Sequence, residues 1–170
     1  MMAAVTGTPG TGKSTVAEIL EARGYSVIRQ NDTIGPYIIE RDSERDADVI
    51  DEDKWYEEFG KPDAVVEGHL THILDADRIV ILRLRPDILS ERLKSRGYSK
   101  EKIHENLEAE CLDSVLIETL DIHPEEHILE IDCTFLTPEE TADIIGEFLA
   151  GKRGYSFGNT DWSDYIGTLV

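Results

Sequence analysis

The sequence predicts an α/β fold, a doubly wound parallel sheet of five strands with helices on both faces, and three observations carry that expectation. Short apolar runs alternate with stretches of helical periodicity along the chain. A glycine-rich loop follows the first apolar run and opens directly into the first helical stretch. Residues 64–67 and 78–84 are apolar without alternation, the pattern of strands covered on both faces.

Taken in order, residues 2–6 form a short apolar run that stops at Gly7, and 14–23 show helical spacing through Val16, Ile19 and Leu20 before Gly24 closes the helix. Residues 25–28 read as a second strand. A polar, acidic stretch over 30–61 follows, with scattered apolar residues and weak helical pattern, and is expected to be an inserted subregion on the substrate side. Pro86 opens a helix that Ile88, Leu89, Arg92, Leu93 and Arg96 continue and Gly97 breaks. A second long helical pattern runs from about Ser99 through Ile103, Leu107 and Cys111 towards Leu120. Residues 127–132 give a last strand. Thr137-Pro138-Glu139-Glu140 then starts a final helix, with a capping threonine, proline at the first position and glutamate at the third, ending near Gly151. The tail from Gly154 carries Tyr155, Trp162 and Tyr165 without clear periodicity, and either packs on the body or waits for a partner.

At 170 residues one domain is expected, with a tail over 152–170. Acidic residues outnumber basic ones by 36 to 17, for a formal charge of −19. Such a surface repels phosphate backbones, so direct non-specific nucleic-acid binding is not expected, and an anionic substrate must be drawn in by a local cation cluster. A solvating acidic shell and attraction for a basic macromolecular partner both account for the charge. Cys111 and Cys133 lie far apart in no paired motif, which supports neither a disulfide framework nor a zinc ribbon. Residues 1–5 lack a signal-peptide pattern and no apolar run approaches a membrane span, so the expected location is cytoplasmic.

Gly7-Thr8-Pro9-Gly10-Thr11-Gly12-Lys13-Ser14 fits G-x-x-x-x-G-K-[ST] completely. Its glycines let backbone N–H groups turn inward around phosphate oxygens, and the following helix adds its positive end. Gly10, Thr11, Gly12, Lys13, Ser14 and Thr15 are therefore the nucleotide-binding candidates, with Lys13 reaching the β- and γ-phosphates and Ser14 on Mg2+. The glycine order is G-x-x-G-x-G, not the G-x-G-x-x-G of dinucleotide folds.

Glu67 ends the third apolar run, where it would hold the magnesium shell or orient water, and His69 beside it could position or activate a nucleophile. The bland alternative is an acid capping a neighbouring helix. A zinc set of Glu67, His69 and His72 has the right ligand types but no further ligand with convincing spacing. Arg92 and Arg96 share a helical face, with Arg83 and Arg85 preceding them. These are candidates for neutralising a transferring phosphoryl group, or for pairing with acids such as Glu91 and Glu101. Gly97 reads as a hinge for a short lid. Asp32-Thr33-Ile34-Gly35 and Lys61-Pro62-Asp63 resemble GTPase motifs, but the second precedes a strand and lacks the asparagine.

On Gly7 to Thr15, Glu67-Gly68-His69, Glu91-Arg92-Leu93-Lys94-Ser95-Arg96-Gly97-Tyr98 and Lys102-Ile103-His104-Glu105-Asn106-Leu107-Glu108-Ala109-Glu110, the chain resembles the adenylate kinase isoenzyme 6 family in its archaeal form, across roughly residues 3 to 150. The resemblance implies a P-loop kinase domain over 1–151 that makes two ADP from MgATP and AMP. It implies ATP on Gly10, Gly12, Lys13, Ser14 and Thr15, a lid over about 95–105 whose Arg96 closes on the nucleotide, and a monophosphate subregion over about 30–50. It also implies an acid-x-His element at Glu67 and His69 linked to ATP hydrolysis, with glutamate here where eukaryotic members carry aspartate. A second role implied is ATP-driven maturation of the small ribosomal subunit, through a basic small-subunit ribosomal protein.

Overall fold

The computed structural model describes residues 1–168. Five parallel strands stand in the order β2-β5-β1-β6-β7, comprising β1 (Ala3–Thr6), β2 (Val27–Arg29), β5 (Val65–Glu67), β6 (Arg78–Arg83) and β7 (Ile128–Asp132). Registry runs Ala3↔Val65 and Val5↔Glu67 on one side of β1, and Ala3↔Arg78 and Val5↔Val80 on the other. Consecutive residues point to opposite faces, and the core divides accordingly. Ala3, Val5, Val80, Leu82, Leu129 and Ile131 meet α1 (Lys13–Ala22) and α6 (Pro138–Leu149) through Val16, Leu20, Ile145 and Phe148. Met2, Ala4, Val66, Ile79, Ile81 and Ile128 meet Trp55 and Leu116 on the opposite face. A smaller cluster of Leu84, Leu89, Leu93, Ile103 and Leu107 joins α3 (Pro86–Ser95) to α4 (Lys100–Cys111). The fold is the parallel α/β sheet that the apolar runs predict, with helices on both faces.

Two regions depart from the sequence expectation, and the tail takes one of the two courses left open for it. Residues 30–61 are not weakly helical throughout: a turn leads into an antiparallel hairpin of β3 (Ile38–Asp42) and β4 (Ala47–Ile50), then α2 (Glu52–Phe59). The hairpin is exposed along most of its length, so no buried face imposes the strand alternation that would reveal it. The helical pattern after Ser99 is broken, with α4 ending at Cys111 and α5 (Ser114–Ile122) starting beyond it. Asp113 sits between them in a left-handed conformation at φ 56°, and its carboxylate accepts from Arg83 Nη2 at 2.7 Å. The break is thus held by a residue distant in sequence rather than by a local glycine or proline. The tail packs on the body: Ser156 bridges to Leu129 in parallel, and its carbonyl accepts from the Glu130 amide at 2.7 Å.

Both cysteines are free, with burial pushing each thiol up to about 11. Among the described residues no helix is long and apolar enough to cross a membrane.

At the start of α6 the Thr137 hydroxyl accepts from the Glu140 amide at 3.1 Å, and the Glu140 carboxylate accepts from the Thr137 amide at 2.8 Å. Thr137→Ala is expected to cost about 1 kcal/mol, read as a lower urea midpoint at unchanged slope. An unchanged midpoint would contradict the reciprocal cap.

Candidate active site

The loop between β1 and α1 crosses the carboxyl edge of the central strand. Gly7, Gly10 and Gly12 all have positive φ, at 143°, 95° and 103°. At Gly7 an added Cβ would lie 2.5 Å from the Leu82 carbonyl oxygen and 2.9 Å from Thr11 Oγ1, so the loop can lie against β6 only with glycine there. Gly12 caps α1 without a side chain, which leaves the first amides of the helix directed at whatever enters the loop.

Lys13 is the first residue of α1 and only 7% exposed. Its Nζ donates to the carbonyls of Gly7 at 2.8 Å and Thr8 at 3.0 Å. Burial drives its pKa down to about 8, opposed by Glu67 and Glu110 and assisted by Arg96. The ammonium is therefore mostly charged at neutral pH, yet weakly hydrated, the state in which a phosphate gains most from meeting it.

A cavity of about 460 Å3 opens above this cradle. Gly10, Gly12, Lys13, Ser14 and Thr15 form one wall, Gln30, Asn31, Arg45 and Ala47 another, Glu67, Gly68 and His69 the floor, and Arg96, Tyr98, Lys102, Glu105 and Asn106 the remaining side. Arg45 and Lys102 bridge the cavity mouth: Arg45 faces Glu105 at 3.5 Å, and Lys102 Nζ donates to the Asp46 carbonyl at 2.9 Å. Glu67 pairs in register with Val5 and so stands beside the origin of the loop. Burial raises its pKa, while Lys13, Arg29 and the Ser14 hydroxyl pull it back.

Gln30 organises the far end of β5. Its Oε1 accepts from the Leu70 amide at 2.8 Å, which turns Nε2 towards His69 Nδ1 at 3.3 Å. That ring nitrogen must then be the acceptor, and Nε2 of His69 carries the proton. Burial, with Lys13 next in weight, lowers the His69 pKa to about 4, so the ring is neutral at physiological pH. Gly68 explains itself by the same neighbour, because a Cβ there would lie 2.3 Å from Gln30 Cβ.

The structure brings Gly10, Gly12, Lys13, Ser14, Thr15, Glu67, His69 and Arg96 to one cavity. Arg96 pairs with no carboxylate among the described residues. Thr11 and Arg92 are not among the lining residues: Thr11 Oγ1 donates to the Thr8 carbonyl at 2.9 Å, and Arg92 Nη1 to the Gly10 carbonyl at 3.1 Å, so both brace the loop. Arg83 and Arg85 are spent on ion pairs elsewhere, with Glu110 and Asp87 respectively. His72 does not complete a zinc set, since its Nδ1 meets Thr6 Oγ1 at 3.2 Å and its Nε2 meets Glu118 at 2.8 Å. Lys61, in the GTPase-like match, is paired with Asp75 and Asp77. Sequence reasoning missed Gln30, Arg45, Lys102 and Glu110, whose places depend on contacts far along the chain; the Lys102 to Glu110 run was the one local signal that α4 mattered.

Comparison with known proteins decides the family. An AAA domain family matches residues 4–113. A protein of Pyrococcus abyssi is 40% identical over all of this chain and 96% of its own length, and one of Natronomonas pharaonis is 44% identical over 98% of this chain and all of its own. Both bear the name "Putative adenylate kinase". The chain belongs to this archaeal adenylate-kinase-like family of P-loop proteins. Among solved structures, a deoxyadenosine kinase from M. mycoides with dCMP and dCDP bound superposes with a TM-score of 0.58 at 17% identity, over 90% of this chain and 100% of that one. The YorR protein of Bacillus subtilis gives 0.56 at 16% identity, over 88% and 96%. These two share the fold, and the archaeal adenylate-kinase-like relatives share the sequence.

The His69 environment makes a direct prediction. Its ring should titrate by NMR with a midpoint near pH 4, well below the usual imidazole value of about 6.5. Because the folded pKa lies below the unfolded one, the group favours the folded state above pH 6.5, and that contribution is lost as pH falls towards 4. A midpoint between 6 and 7 would contradict the burial of the ring beside Lys13.

Proposed function

We propose that the chain is a nucleoside-monophosphate kinase of the adenylate kinase isoenzyme 6 type, transferring the γ-phosphate of MgATP to AMP. The single observation that carries this is the two-sided cavity, walled by the phosphate loop on one side and by residues from 30 to 47 on the other. Such a space suits a donor triphosphate on the loop and an acceptor against the hairpin, at the carboxyl edge of the sheet where α/β proteins place ligands. Residues 30–50 are assigned to the monophosphate side, and 95–105, with Gly97 at φ 74°, to a short lid.

In this mechanism an AMP phosphate oxygen bonds to the γ-phosphorus as the bond from that phosphorus to the β–γ bridging oxygen breaks. ADP leaves with the electron pair, and the acceptor becomes the second ADP. Lys13 turns from the Gly7 and Thr8 carbonyls to the β- and γ-phosphates, and the loop amides hold the oxygens between them. Arg96 offsets charge on the transferring group from the lid side, and Arg92 adds positive charge behind the loop while fixing Gly10. The Ser14 hydroxyl and Glu67 carboxylate face each other, hard oxygen donors that fit Mg2+ arriving with ATP. Ser14 and Glu67 would hold the ion, which would supply positive charge to offset that of the phosphates.

A second reading is ATP hydrolysis coupled to small ribosomal subunit maturation. It is favoured by Glu67 and His69 standing together at the cavity floor, and by the charge of −19, complementary to a basic ribosomal protein. Here Glu67 accepts a proton from water, which His69 orients by donating through Nε2, as the water oxygen bonds to the γ-phosphorus, the bond to the β–γ bridging oxygen breaks and ADP leaves with the electron pair.

A coupled assay of ADP production from MgATP, with and without AMP, separates the two. Production strongly dependent on AMP is expected, and equal production without AMP favours hydrolysis. Lys13→Ala should lower turnover by about 100-fold to 1,000-fold with the circular-dichroism spectrum unchanged, and undiminished activity would refute the site.

A further inference from the structure

Behind the phosphate loop lies a buried ionic group that phosphoryl transfer leaves unused. Arg83, 2% exposed at the end of β6, donates Nε to Glu110 Oε1 at 2.7 Å. Its Nη2 reaches the Glu110 carbonyl and Asp113, each at 2.7 Å, and its Nη1 reaches Glu130. Asp113 is partly exposed, but Glu110 and Glu130 are nearly dry, so two buried carboxylates share one guanidinium, which is costly unless further donors join it.

The Leu84 amide donates to Glu110 Oε1 at 3.2 Å, and two further sets of donors come from the phosphate loop and from the tail. Glu110 Oε2 accepts from the Thr8 hydroxyl at 2.7 Å, and Thr8 is the loop residue whose carbonyl receives Lys13 Nζ and Thr11 Oγ1. Glu110 Oε1 accepts from the Trp162 indole N–H at 3.2 Å, and Glu130 Oε2 from the Gly158 amide at 2.7 Å. Glu110 therefore holds the phosphate loop with one oxygen and the C-terminal segment with the other. Phe157 packs against the core cluster of Met2, Val66 and Ile79 while Tyr155 and Ile166 are exposed, so the segment is held by that apolar contact together with these polar bonds and the Ser156 bridge to β7.

We propose that the tail is part of the nucleotide device, with Trp162 a positioning residue that acts through Glu110 on Thr8 and so on the carbonyls that hold Lys13. This rests on reading the cavity as the ATP site. Docking of the tail fixes the loop in the shape that grips phosphate. By reciprocity, nucleotide that draws Lys13 away from Thr8 changes the field at Glu110 and the hold on Trp162. A partner that peels the tail away would loosen the grip on nucleotide.

The chain has two tryptophans, Trp55 and Trp162, so 5-fluorotryptophan labelling gives two 19F resonances, assigned with Trp162→Phe, which keeps a ring but removes the indole donor. MgADP is titrated into the full chain and the variant, followed by 19F NMR and calorimetry. The expected result is a moving Trp162 resonance and a dissociation constant raised roughly threefold to tenfold in the variant. KM for MgATP should rise alongside with kcat held, a split that simple destabilisation would not give. MgADP binding equally to both proteins with the Trp162 resonance fixed would overturn the proposal. No MgADP uptake by the folded wild-type chain would instead remove the nucleotide reading, and the proposal with it.

Discussion

One buried ammonium organises this protein. Lys13 sits at the N-terminus of α1, where the helix already presents uncapped amides, and burial brings its pKa to about 8. Removing a charge from water is expensive, and the loop answers that cost locally with the carbonyls of Gly7 and Thr8. Glu67 and Glu110 answer it through space. The central place of β1, the left-handed glycines and the alignment of β5 beside it all serve to put this ammonium at the edge of the sheet.

Charge is arranged around that point against the bulk composition. A chain with a formal charge of −19 should repel nucleotides, yet Lys13, Arg96, Arg45 and Lys102 all line one cavity. The arginines nearby in sequence divide by burial. Arg83 is locked among three carboxylates beneath the sheet edge, whereas Arg96 remains facing the cavity. The same residue type thus serves as a structural clamp at one position and lines the cavity at another.

What could be read from sequence follows from the range of the forces involved. The loop and the central strands are local: a glycine pattern and an apolar run report their own conformations. The hairpin was hidden because Ile38, Ile39 and Val49 point largely to solvent, so no core face printed an alternation onto it. The break before α5 was hidden because Arg83, thirty residues upstream, holds Asp113 in its left-handed state. Gln30 and Glu110 were missed for the same reason, since each gains its role only when distant strands bring His69 or Thr8 beside it. The tail, with no periodicity of its own, became legible only through the buried carboxylates it meets.

The central claim is that a triphosphate meets this partly desolvated ammonium, and proton linkage tests it most directly. MgATP is titrated by calorimetry at pH 8 in two buffers of different ionisation enthalpy. With the free pKa near 8 and phosphate charge raising it in the complex, the account predicts uptake of about half a proton per nucleotide. Binding with no proton uptake, or no binding by the folded chain, would contradict it.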